Sequence, residues 1–144
     1  PGGDPFDVAV RAARLTHGHP SGFLSAGAHA AIVHALVHEG AALPDAVAIG
    51  RARLARAPGH EETTAALARA VALAAKGAGT ATRVESLGGG WVGEEALAIG
   101  VYCALVAEED FARGVRLAVH HSGDSDSTGS LAGGLLGAAV GEGG

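Results

Sequence analysis

The sequence predicts an all-α protein. Alanine-rich segments of helical length recur along it, and its few β-branched residues are scattered without any sustained period-two alternation. The core materials agree. With three Phe, one Tyr, one Trp and no Met beside 24 Gly, the chain has to pack small side chains and closely spaced backbones. Its 144 residues, 48% of them hydrophobic, suffice for one domain with one core.

The first helix is predicted from about Pro5 to Thr16, with Asp4 as N-cap and Pro5 in the first position. A second follows PSG and covers roughly Phe23 to His38, where Gly40 ends it. A third begins near Pro44 and Asp45 and stops before Pro58-Gly59. The fourth, Glu61 to Lys76, carries acids in its first turn, Lys76 in its last and Gly77 just beyond. GAGTATRVESLGGGWVG then reads as the longest loop. Helices follow from about Glu94 to Ala107 and from Glu109 to about His120. The stretch HHSGDSDSTG interrupts the pattern, and Gly129 to Val140 forms a last, glycine-bearing helix.

Charge and cysteine content exclude several classes of function. The net charge is −5, and the basic residues form no dense cluster beyond RARLAR, Arg51 to Arg56, which argues against a nucleic-acid partner. The lone Cys103 allows neither an intrachain disulfide nor a cysteine-based zinc site, and agrees with a reducing compartment. No uninterrupted apolar run of about 18 residues is present, nor a basic segment leading into an apolar one. These features lead us to expect a soluble, cytoplasmic protein without a membrane partner. The absence of an initiator Met, the opening PGGDP and the closing GEGG lead us to expect a piece of a longer polypeptide.

Three constellations carry chemistry. In GDSDSTG, Asp124 and Asp126 lie two apart, with Ser127 and Thr128 directly after. One acid before an apolar run is a common N-cap signal; two acids with hydroxyls exceed that need. Such a run can also aim hard oxygen ligands at Mg²⁺, Ca²⁺ or Mn²⁺. An EF-hand is ruled out because Leu135 occupies the twelfth position, and a P-loop because no Lys follows the glycines. His17 and His19 fall in THGHPSG beside helix breakers, where they either cap a helix end or meet a ligand. His34 and His38 read as ordinary helix-face residues. LGGGWVGEEAL, Leu87 to Leu97, combines glycines that admit close backbone approach with a Trp and two acids that open a helix.

Taken in order, THGHPSG, LGGGWVGEEALA and HHSGDSDSTGSLAGGLLGA resemble the carboxy-terminal part of the ADP-ribosylglycohydrolase family, whose members remove ADP-ribose from modified proteins. The resemblance runs from about Asp4 to Gly141, and GDSDSTG is its specific element. It implies that residues 1–144 are the carboxy-terminal part of one compact all-α domain with a binuclear magnesium or manganese centre below an ADP-ribose cleft. It also implies that Asp124, Asp126 and Ser127 are metal ligands and that Gly89, Gly90, Trp91 and Val92 lie along the ADP-ribose, with His19 near the cleft. It leaves the catalytic acid or base unassigned. The expected substrate is an ADP-ribosylated protein or an ADP-ribosyl small molecule; the alternative is a non-catalytic ADP-ribose binder or lens-crystallin-like relative. One departure stands out. The family's amino-terminal GDxxG and Thr-Asp-Asp motifs, which complete the metal site, have no match in this sequence, so half of the site and its amino-terminal partner are expected to be missing.

Overall fold

The computed structural model describes residues 2–77 and 79–141, and these residues contain helices and no strand. Pro1, Ala78 and residues 142–144 lie outside this description, and with them parts of the PGGDP, GAGTATRVESLGGGWVG and GEGG segments. The described helices are α1 (Pro5–Ala13), α2 (Pro20–His38), α3 (Leu43–Leu54), α4 (Glu61–Ala74), α5 (Ala81–Glu85), α6 (Gly93–Ala107), α7 (Phe111–Val119) and α8 (Ser125–Val140).

Two helices form the centre. α2 packs on α1, α3, α6 and α8, while α6 packs on α4, α7 and α8 as well as α2. Both are apolar on nearly every face, as helices surrounded by neighbours must be. α2 is 19 residues long and apolar enough to cross a membrane by length and composition, yet half of that stretch is buried inside the protein as its core helix. α6 buries an unbroken run from Ala96 to Ala104, with Tyr102 and Cys103 fully enclosed. Burial pushes the Cys103 thiol up to about 12. The small-residue composition is used as expected. A side chain at Gly100 would run into Leu131, so glycine there lets α6 and α8 lie close together.

The element boundaries depart from expectation where a cap decides them. α2 starts at Pro20 rather than Phe23, because His19 accepts the Ser21 N–H at 3.2 Å on Nδ1 and so caps the helix. α7 starts at Phe111 rather than Glu109. Glu108 and Glu109 both adopt left-handed backbone (φ 51° and 72°), and Asp110 caps the helix by accepting the Arg113 N–H at 3.0 Å. The predicted long loop contains the short helix α5, capped by Thr80 and anchored by buried Val84. Finally, α8 starts at Ser125 instead of Gly129. The acidic stretch is the first turn of that helix and not an interruption before it.

Candidate active site

Asp124 is the N-cap of α8. Its Oδ1 accepts the Ser127 N–H at 3.3 Å, and its Oδ2 accepts the Ser127 hydroxyl at 2.7 Å. Both carboxylate oxygens therefore engage the motif's own serine. Asp126 sits in the first turn and is exposed to solvent. The base of this turn is tightly organised. Gly123 N–H donates to His121 Nδ1 at 3.0 Å, which leaves the proton of the neutral ring on Nε2, 2.8 Å from the hydroxyl of Thr128. Thr128, fully buried, in turn donates to the carbonyl of Ala118 at 2.7 Å, which fastens α8 to the end of α7.

The glycine-rich loop meets this turn directly. Asp124 N–H donates to the carbonyl of Gly89 at 2.7 Å, and any side chain on Gly123 would overlap that carbonyl. Gly90 adopts a left-handed φ of 76°, and its α-carbon faces the methyl of Thr128. On the other side, one oxygen of Glu95, Oε2, accepts the N–H groups of Gly89 and Gly90 at 3.1 Å each. A carboxylate in the first turn of α6 thus folds the loop back over its own helix, where the partial positive charge of the helix start also favours it.

Beyond the loop lies an open cavity of about 510 Å³, walled by His17, His19, Glu62, Trp91, Val92 and Glu94 among others. Trp91 is 71% exposed, so it borders this space and does not belong to the core. His19 holds its Nδ1 against Ser21, whose hydroxyl lies 2.9 Å away, and Glu62 stands 3.9 Å from the same nitrogen. A second recess of about 390 Å³ shares Gly22 and Gly93 with the first and reaches Ser25, His29, Ser127 and Ser130. Two enclosed atoms lack partners at these cavities: Oε2 of Glu94 in the first and Nε2 of His29 in the second. Burial holds the pKa of His29 below the ordinary imidazole value.

Of the residues singled out from the sequence, His19, Trp91 and Val92 line the first cavity and Ser127 the second. Gly89 is bonded to Asp124 at the junction. Asp124 and Asp126 line neither cavity, and among the described residues no three His, Cys, Asp or Glu side chains gather as they would around a metal ion. Sequence reasoning missed the roles of Glu95, His121 and His29. The pair Glu94-Glu95 was visible as a helix start, but its backward reach to the glycines depends on how the loop folds.

Three motifs distant in sequence thus converge along one face, and a family model described as ADP-ribosylglycohydrolase matches residues 2–144. The chain belongs to the ADP-ribosylglycohydrolase family. No curated protein and no solved structure matches it. The family is one of glycohydrolases, so the protein is of hydrolase type, and its all-helical architecture agrees with the fold expected for that family.

Proposed function

We propose that the protein acts in hydrolysis of the N- or O-glycosidic bond between ADP-ribose and a protein side chain, or a related ADP-ribosyl compound. ADP-ribose would lie along Gly89, Gly90, Trp91 and Val92 toward His19. The observation that carries this reading is the hydrogen bond from Asp124 N–H to the Gly89 carbonyl, which makes the glycine loop and the acidic turn one surface beside the cavity.

Asp124, Asp126 and Ser127 suit Mg²⁺ or Mn²⁺ in kind, since both prefer hard carboxylate and hydroxyl oxygens. They fall short in number, because the described residues bring no further acid to them. We therefore assign them one part of a two-ion site whose remaining donors come from polypeptide outside the described residues. A divalent ion held there would supply Lewis-acid stabilisation and orient a water for attack. The chain's own contribution is positional. Ser127 holds the Asp124 carboxylate, Glu95 holds the loop backbone, and exposed Trp91 offers a flat apolar wall. Fixing the substrate in this way lowers the cost of bringing water and the glycosidic carbon together.

Asp126→Ala tests the assignment in protein that carries the complementary donors. Asp126 is exposed and makes no structural hydrogen bond in the described fold, so circular dichroism should be unchanged. Mg²⁺ affinity by calorimetry should fall at least about tenfold, with loss of hydrolysis. Unchanged Mg²⁺ affinity refutes the ligand role. If ADP-ribose leaves the emission of Trp91 untouched, the loop lies away from the substrate.

A further inference from the structure

The one dense basic run, RARLAR, takes no part in the cleft described above. Arg53 and Arg56 lie one helical turn apart at the end of α3, and the fold brings them to Arg14, the residue that closes α1. The three arginines surround a recess of about 370 Å³ whose walls also include Phe6, Phe23 and Asp7. It shares no lining residue with the cavity of His19 and Trp91.

Two of the guanidiniums rest against aromatic rings. Arg14 lies over Phe23, 4.3 Å from the ring centre, and Arg53 over Phe6 at 4.2 Å. Packing of this kind restrains the guanidinium while leaving N–H groups available to an acceptor. Arg53 has its acceptors within the fold: Asp4 at 2.5 Å and Asp7 at 2.8 Å. Arg14 and Arg56 have no carboxylate within ion-pair distance among the described residues.

Helix dipoles do not account for this surplus. The last turn of α1 already carries Arg11, and that of α3 carries Arg51 as well as Arg53. Three cations against Asp4 and Asp7 leave the recess positive in a protein whose net charge is −5. Two arginines with no carboxylate at ion-pair distance, Arg14 over the Phe23 ring and Arg56 acting on Asp4 only from further away, flank a concave space large enough for a phosphorylated small molecule.

We propose that this recess is an oxyanion site for a phosphorylated small molecule, in which Arg14 and Arg56 donate to the phosphoryl oxygens while Arg53, held by Asp4 and Asp7, forms the wall between them. Paired arginines match phosphoryl geometry through several charge-assisted hydrogen bonds. Arg14 precedes the THGHPSG turn and Phe23 follows it, so a bound anion would brace the segment that presents His19.

The test uses inorganic phosphate as the probe, titrated into the protein by calorimetry at constant ionic strength with chloride as the reference anion. Saturable binding is expected. Arg14→Gln and Arg56→Gln should each weaken it by about tenfold, the worth of one charge-assisted hydrogen bond. Both side chains are exposed, so circular dichroism should show intact folds; should one variant fail to fold, the other carries the test. Any of three results would overturn the proposal: no saturable binding, binding by both folded variants equal to that of the wild type, or binding of a phosphoserine peptide without binding of phosphate.

Discussion

Substituting Gly123 by alanine should separate the glycine loop from the acidic turn. The φ of Gly123 is not in the left-handed region, so the glycine is required by space and not by backbone conformation. An added methyl group would overlap the carbonyl oxygen of Gly89 and come within 2.6 Å of its carbonyl carbon. That neighbour is backbone, held by Glu95 on its far side, and cannot rotate away as a side chain would. Relief requires the two segments to part, which breaks the 2.7 Å bond from Asp124 N–H to Gly89. Overpacking costs about 1–3 kcal/mol and the lost hydrogen bond about 0.5–1.5 kcal/mol. Restriction of the unfolded chain returns roughly 0.4–1 kcal/mol. The net expectation is a destabilisation of about 2 kcal/mol, measured by urea unfolding followed by far-UV circular dichroism. Gly134→Ala and Gly137→Ala are the controls. Both positions are exposed within α8 and have open space at the added carbon, so alanine there should stabilise by about 0.5–1 kcal/mol. If Gly123→Ala unfolds at the wild-type urea concentration with an unchanged slope, the contact between loop and turn is not as tight as described.

Glu95→Ala removes the acceptor shared by Gly89 and Gly90 and should cost about 1–3 kcal/mol, with Glu95→Gln lying between it and wild type. Amide hydrogen exchange at the two glycines is the direct readout; protection retained in the alanine variant would show that the carboxylate does not hold the loop. His29 makes a different, pH-dependent prediction. Burial lowers its pKa in the folded state, so between that value and the ordinary 6.5 the unfolded chain binds the additional proton. Its contribution to stability is therefore full above 6.5 and declines as the pH falls below it. His29→Leu should remove that share of the slope, and identical stability curves against pH for the two proteins would contradict the burial of this ring.

The residues of the helices were legible in the sequence because their signals are local. Asp4-Pro5, the acids at Glu61-Glu62 and the alanine-rich runs act within a turn or two of themselves, and α1, α4 and α6 lie within a few residues of where these signals put them. The opening of α8 was misread as conformation. Asp124 and Asp126 stood out in the sequence, but HHSGDSDSTG was read as an interruption before a helix from Gly129, whereas the Ser127 N–H bond to Asp124 starts a helix at once. The rest was decided by contacts between segments far apart in sequence. Gly123 is obligatory only because the Gly89 carbonyl occupies the space its side chain would need, and Glu95 becomes a tether only once the glycines fold back over α6. RARLAR likewise stood in the sequence only as the one basic cluster, and its recess exists because α1 brings Arg14 and Phe6 to it and α2 brings Phe23. Local propensity and capping act over a few residues and are written in the sequence in order. Steric exclusion and hydrogen bonding across the core depend on which backbones become neighbours, and that follows from burying α2 and α6 together with all the helices around them.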